Sequence, residues 1–472
     1  MSSHNEYVSA LSTRYASAEM SYLFSEQKKY STWRSLWVAL AKVQKKLGLK
    51  ITDEQIAEME SAIHKIDFSL ASEMETLTRH DVMAHILAFG KQCPKAKGII
   101  HLGATSTFLT DNGDLVQIRD ALGLLQKKFI TLVRILAGVA SKYAGVPTLG
   151  WTHFQPAQPV TVGKRIALWL QDFLYDFHDL NRMIDSLQFL GAKGATGTQA
   201  SFLELFDGNS AKVVQLEQLI ASDMGFKSLF PLASQTYTRK QDVRLLAVLK
   251  GLATSAHKFG TDLRLLAHVG EVFEERLVTQ IGSSAMPHKR NPARSERLCG
   301  IARYLISLDE NAAYTHATQW LERSLDDSAN RRLYLPEAFL AADSLLELLI
   351  AISKSLTINS EKIAENLEEQ ISFLSLETIL MKAVKAGGDR QQTHALLKQY
   401  AFESAGNGKK LVEKLSKDRA LAIYGDDFFD SVDSNHLIGM AKTQVEAFLK
   451  SEIQPVFDRF SEIPDSTPSV NI

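Results

Sequence analysis

The chain has 472 residues, with 53 lysines and arginines against 54 aspartates and glutamates, so its formal net charge is −1. That balance excludes the basic surplus of a typical nucleic-acid binder and offers no polybasic segment for a membrane surface. A composition 45% hydrophobic and 23% charged is that of an ordinary globular protein, long enough for about two to four cores.

The 11 prolines are clustered, with none in 1–93, 160–230 or 337–454. Strand-rich chains need many turns, and turns use proline and glycine. Long proline-free stretches permit long helices instead, which argues against a sandwich or barrel. Two cysteines, Cys93 and Cys299, are too few for a disulfide framework and fit a reduced cytoplasmic setting. The polar start, Met1-Ser2-Ser3-His4-Asn5, lacks the apolar run of a secretory signal. No stretch of about 18 apolar residues suggests a membrane span. No HExxH motif, Cys/His spacing or Asp-rich loop is present, so neither metal nor other cofactor is expected.

Taken in chain order, the first hundred residues carry short, mixed helical patterns, read as a helical domain over 1–105. Three long seams follow. They run Leu115, Ile118, Leu122, Leu125, Phe129, Leu132, Leu136, Val139; then Val162, Ile166, Leu170, Phe173, Phe177, Leu180, Ile184, Leu187; then Leu245, Leu249, Leu252, Ala256, Phe259, Leu263, Leu266. Steps of three and four predict helices of about 30 residues, or about 45 Å. The pattern alone leaves a coiled-coil rod open, but e/g charges are irregular. Helices this long favour a bundle that continues through subunit contacts, hence an obligate oligomer. The central bundle is assigned to 106–358 and a second small helical domain to 359–472. The residues from Glu462 onward read as a poorly ordered tail.

Polar, small-residue loops separate the seams at 98–113, 145–159, 191–201 and 282–292. In the last, Gly282-Ser283-Ser284 can form a nest of backbone N–H groups, and His288, Lys289, Arg290 and Arg294 concentrate positive charge. Such a loop suits a developing oxyanion, although a solvated basic loop has the same composition. His153, in Trp151-Thr152-His153-Phe154-Gln155-Pro156, is a candidate acid or base near neutral pH. His80, beside Asp81, and His101 are further candidates; a lone loop histidine is more often structural. In 322–332, Arg323, Arg331 and Arg332 offer forks for phosphate or carboxylate, and Ser328 and Arg332 share a helix face. The glycine-rich loop 191–201 lacks the GK[ST] ending of a P-loop and reads as a connection between helices.

Ser283-Ser284-Ala285-Met286-Pro287-His288-Lys289-Arg290-Asn291 resembles the S-S-x-M-P-x-K-x-N signature of the fumarase/aspartase superfamily. Six fixed positions arise by chance at about 10⁻⁸ per start. Arg14-Tyr15-Ala16-Ser17, Thr78-Arg79-His80-Asp81-Val82, His101-Leu102-Gly103-Ala104-Thr105-Ser106, Thr152-His153-Phe154-Gln155-Pro156 and Leu325-Asp326-Asp327-Ser328-Ala329-Asn330-Arg331-Arg332 narrow it further. They resemble the adenylosuccinate lyase family, closest to the branch that includes the animal enzymes, and the likeness runs from about residue 11 to about 455.

The resemblance implies an all-α, three-domain subunit in a homotetramer with a twenty-helix core and active sites shared between subunits. It implies release of fumarate from adenylosuccinate, giving AMP, and from the succinylated carboxamide precursor SAICAR, giving AICAR. By the same resemblance Ser283 is the general base and His153 the general acid, with Glu296 orienting it. Lys289, Asn291, Thr105, Ser106 and Gln235 bind the succinyl group, and Lys289 and His80 also belong to the catalytic set. Arg14, Tyr15, Arg323, Ser328 and Arg332 form a phosphate cradle, while Arg79, His80, Asp81 and Arg297 contact substrate or hold these groups. Two rivals follow from the same residues. Argininosuccinate lyase shares the signature, but the arginines at 323–332 and Arg14-Tyr15 favour a phosphorylated substrate. A structural protein recruited from this fold would not need Ser283, His153 and Lys289 together.

Overall fold

The structure is a computed structural model, which describes residues 5–275, 286, 288–418, 421 and 434–468. A π-helical turn, Leu11–Tyr15, leads into α1 (Ala18–Leu23), α2 (Glu26–Lys46), α3 (Asp53–Ser61), α4 (Phe68–Thr78) and α5 (Asp81–Gln92). The middle of the chain forms α6 (Ser106–Lys142), strands β1 (Pro147–Thr152) and β2 (Gln155–Thr161), and α7 (Val162–Asp185). Then come α8 (Ala200–Leu205), α9 (Ser210–Asp223), α10 (Lys240–His268), strand β3 (Val272–Phe273), α11 (Ala293–Ala317), α12 (Asp326–Lys354) and strand β4 (Thr357–Ile358). Beyond them lie α13 (Ser360–Leu374), α14 (Leu376–Lys385), α15 (Arg390–Ser404), α16 (Gly408–Lys417), α17 (Ser434–Leu437), α18 (Ala441–Phe448) and α19 (Gln454–Arg459).

Helix starts are set by side chains that accept the first free N–H groups. Ser25 caps α2, Thr161 caps α7, and Thr52 with Gln55 makes a reciprocal capping box on α3. At 37 residues α6 is about 55 Å long, more than one compact domain can enclose. It packs against α7 and α12, α7 against α10, α10 against α11, and α11 against α12, closing a ring of five long helices. The rod reading is thereby excluded. The three seams point inward: every member is buried except Val139 and Ile184, which are half-buried.

Two of the five helices carry no such seam. In α12 all residues from Ala338 to Ile350 are buried, so it is enclosed on every side and shows no polar face. It also runs through Pro336, which leaves the carbonyl of Arg332 without its intrahelical donor. Buried charges between the helices are paired: Lys128 of α6 meets Asp343 and Glu347 of α12. Asp343 also accepts the Ser17 N–H at 2.7 Å, tying the Arg14–Tyr15 segment to the bundle.

The segment expected to be a loop at 145–159 is an antiparallel hairpin, with Thr152 paired to Gln155 and Pro147 to Thr161. Residues 376–421 gather a separate core around Ile379, Leu397, Leu411 and Leu415. The expectation of a loose tail from Glu462 does not hold for the described residues. Arg134 of α6 donates to the Ile463 carbonyl at 2.7 Å and pairs with Asp465 at 2.8 Å, and the Ser466 N–H donates to Thr131 Oγ1 at 2.9 Å. No helix among the described residues is long and apolar enough to cross a membrane.

Candidate active site

One face of the bundle holds a cleft of 720 Å³. Nine of the residues singled out in the sequence line it: Arg79, His80, Asp81, Thr105, Ser106, Gln235, Arg323, Ser328 and Arg332. They arrive from separated elements. Arg79 ends α4 in a left-handed conformation, φ 54°, which turns the chain sharply so that His80 can cap α5. Thr105 and Ser106 open the 37-residue α6, where unpaired N–H groups and the helix dipole favour anions. Ser328 and Arg332 lie one turn apart at the start of α12.

The polar contacts orient these groups. The Met83 N–H donates to His80 Nδ1 at 3.3 Å, which leaves Nε2 as the donor nitrogen, facing Ser106 Oγ at 3.5 Å. His80 therefore presents a donor to the cleft. Arg332 donates to Asp81 Oδ2 at 2.6 Å. Burial acts to raise the Asp81 carboxyl, but the Val82 N–H and Arg332 outweigh it and hold the pKa below the usual carboxylate value.

Beneath the cleft, a buried ionic lattice supports the arginines. Arg239 grips Asp111 with both Nη atoms, at 2.9 and 3.2 Å, and donates through Nε to Asp327 at 2.8 Å. Asp327 also accepts from Arg323 at 3.0 Å. Arg331 donates to Asp242 at 2.8 Å and to Tyr237, whose hydroxyl donates to Asp242 at 2.8 Å. Arg331 was grouped with the cleft arginines in the sequence, but it is buried and serves this lattice.

Other predicted residues lie elsewhere in the chain. His153 and Phe154 form the two-residue tip of the hairpin, both left-handed with φ of 52° and 56°. A type I′ tip normally uses Asn-Gly; two bulky residues there store strain that a function can exploit. The exposed His153 has no hydrogen bond to a described residue. Tyr15 lies under the Arg297 guanidinium, 5.8 Å from ring centroid to carbon, in a hollow that also holds Tyr304 and Glu337. Arg14 and Glu296 are exposed, as are Lys289 and Asn291. Ser283 and Ser284 lie outside the described residues. His101 accepts the Trp37 indole N–H at 3.0 Å, and burial lowers its pKa to about 4, so it is a neutral structural group.

Sequence reasoning missed several participants. Glu274 accepts from the Arg294 and Ser295 N–H groups and the Ser295 hydroxyl, each at 2.8 Å, and so fixes the start of α11 directly after the signature loop. Glu75 and Thr110 line the cleft, and Lys29 lines a second chamber behind it. No grouping among the described residues could hold a metal ion.

The family model described as "Lyase" matches residues 16–306, and that described as "Adenylosuccinate lyase C-terminus" matches 373–448. The fold is also that of solved lyase-type structures. A 3-carboxy-cis,cis-muconate lactonizing enzyme from Pseudomonas putida superposes with a TM-score of 0.83 at 24% identity, covering 94% of this chain and 99% of that one. A fumarate lyase from Mesorhizobium sp. BNC1 gives 0.82 at 22%, covering 93% and 99%. The bundle thus has the fold of these solved structures, and the family model over more than half of the chain makes it a lyase.

Sequence similarity is more specific than the fold. Adenylosuccinate lyase of Saccharomyces cerevisiae is 42% identical over 100% of both chains, and that of Schistosoma mansoni 44% over 98% of both. The Archaeoglobus fulgidus enzyme is 32% identical over 93% of this chain and 97% of its own. The chain belongs to the adenylosuccinate lyase family, whose members are carbon–nitrogen lyases.

Proposed function

We propose that the protein eliminates fumarate from adenylosuccinate, giving AMP, and from SAICAR, giving AICAR. The observation that carries this reading is the cleft itself: in a chain of this family, four sequence segments bring a histidine donor, two hydroxyls on a helix N-terminus, the Gln235 amide and three arginines to one cleft. Elimination removes a proton from the carbon beside a carboxylate and places the electron pair in the new C=C bond. The C–N bond breaks, and the leaving nitrogen takes a proton. Ser283 is assigned as the base and His153 as the acid, with Glu296 orienting the imidazole. Lys289 and the backbone N–H groups of 282–284 stabilise the alkoxide and the developing carboxylate dianion. Thr105, Ser106, Gln235 and Asn291 hold the succinyl group and the N–H of His80 supports it. Arg14, Tyr15, Arg323, Ser328 and Arg332 cradle the phosphate, while Arg79, Asp81 and Arg297 position them.

The protein is further proposed to act as a cytoplasmic homotetramer with shared sites. Support comes from the separation of the parts: neither His153 nor the Tyr15–Arg297 pair lines the cleft of its own subunit. The test is fumarate release from each substrate by the wild type, Ser283→Ala and His153→Ala. Wild-type turnover with at least about a thousandfold loss in each variant, at unchanged oligomer size, is expected. Near-normal kcat in either variant removes that residue's role. No fumarate from either substrate overturns the reading.

A further inference from the structure

Behind the cleft lies a second chamber of 320 Å³, between α2, α6 and α12. It shares Thr110, Arg323, Ser328 and Arg332 with the cleft, so the two spaces meet at the arginine end. Five cations line it, Lys29, Arg239, Arg323, Arg331 and Arg332, together with four carboxylates, Glu26, Asp111, Asp114 and Asp327. Four are held by carboxylates: Arg239 by Asp111 and Asp327, Arg323 by Asp327, Arg331 by Asp242 and Asp114, and Arg332 by Asp81. Lys29 differs. Its ammonium lies over the Trp33 and Tyr30 rings, 5.1 and 5.3 Å from their centroids, and has no hydrogen bond or ion pair to a described residue.

A half-buried ammonium packed on two rings has lost part of its hydration without gaining a carboxylate. Burial, and next the Arg332 charge, lower its pKa, and the charges of Asp114, Asp81 and Glu26, none of them in contact with the ammonium, offset this only in part. The arginines around it are already neutralised, so an incoming dianion gains most from Lys29.

We propose that Lys29 binds the phosphomonoester of the substrate, which enters the inner chamber between Lys29, Ser328 and Arg332. This rests on the reading of the cleft as a nucleotide site and adds a residue to it from α2. A phosphate there accepts from the Lys29 ammonium, the Ser328 hydroxyl and the free N–H groups of Arg332, while the succinyl end extends toward Thr105 and Ser106.

The test is binding of AMP, adenosine and inorganic phosphate to wild type, Lys29→Met and Lys29→Arg, by calorimetry on the intact oligomer. Losing a hydrogen bond between charged groups weakens binding by about 10- to 100-fold. Lys29→Met is expected to weaken AMP by that factor, leave adenosine within about twofold, and abolish measurable phosphate binding; Lys29→Arg recovers most of the AMP affinity. With the substrate, the loss falls on KM with kcat nearly unchanged. Equal losses for AMP and adenosine, undiminished AMP affinity, or a wild type that binds neither AMP nor phosphate overturns the assignment. If Lys29→Met changes oligomer size or circular dichroism, Lys29→Gln is used with the same criteria. Failure of the functional reading is distinct: AMP binds and depends on Lys29, yet no fumarate is released.

Discussion

Asp242 and Asp176 lie in the same bundle with pKa values shifted in opposite directions. Burial acts to raise Asp242, but Arg331 and Arg239 outweigh it and hold its pKa below the usual value, so it stays ionised and anchors the lattice under the cleft. Asp176, on α7 facing α10, pairs with no cation among the described residues. Burial raises its pKa to about 7; Ser255 opposes this by hydrogen bonding, while Asp179 and Asp172 add to it, and one carboxyl oxygen has no donor. The sign of the linkage follows. Below the unfolded-state value both states are protonated and Asp176 is harmless. As pH rises through the window up to about 7 the unfolded chain ionises first, so stability falls, and the loss is complete above the folded pKa. Asp176→Asn is therefore expected to be more stable than the wild type at pH 8, by on the order of 2 kcal/mol, with the gap closing toward pH 4. Denaturant unfolding at a series of pH values checks this; a pH-independent difference places the carboxyl outside the titration.

Between elements, one close backbone approach is where α7 leaves the hairpin and crosses the end of α6. A Cβ added to Gly163 would sit 2.4 Å from the Ala140 carbonyl oxygen and 2.5 Å from Ala144 Cα. Those are backbone atoms of a long helix and its exit, so no side chain can swing aside. Alanine improves helix propensity by about 1 kcal/mol, but overpacking against fixed backbone costs about 1–3 kcal/mol or more. Gly163→Ala is expected to be destabilised by roughly 2 kcal/mol, and a melting temperature at or above that of the wild type contradicts this packing. Element by element, the helices that betrayed themselves were those with one buried face. The seams of α6, α7 and α10 are readable because their outer sides are polar, whereas α12 is buried all round from Ala338 to Ile350 and has no period to read. The hairpin escaped detection because its strands carry Pro147, Gly150, Pro156 and Pro159, and its tip is His-Phe rather than Asn-Gly. In the cleft, contiguous motifs such as Thr78-Arg79-His80-Asp81 were readable. Lys29, Glu75 and Glu274 were not, since a lone charged residue on a helix or loop resembles any solvated one until the fold supplies its neighbours.

At the scale of the whole molecule, the chain holds the residues of the proposed site in separate places. The cleft carries His80, Thr105, Ser106 and Arg332; the hairpin tip carries His153; the hollow beside α11 carries Tyr15 and Arg297. The long helices that join these places also expose apolar side chains, among them Leu168 and Tyr175 on α7, Tyr314 on α11 and Leu333 on α12. Apolar groups spread along bundle helices suit burial between subunits rather than contact with water. If association through those helices brings a hairpin tip to a neighbour's signature loop, base and acid of one site come from different chains. That arrangement has a quantitative consequence. Ser283→Ala and His153→Ala are each expected to be inactive alone, whereas in tetramers reassembled from an equal mixture about a quarter of the sites would receive both an intact serine and an intact histidine. Recovered activity is therefore expected near one quarter of wild type, with wild-type KM because the restored sites are complete. Differently sized tags on the two variants verify that mixed tetramers have formed. If mixed tetramers are present and activity stays at the level of the single variants, base and acid belong to the same chain, and the hairpin must instead reach the cleft within its own subunit.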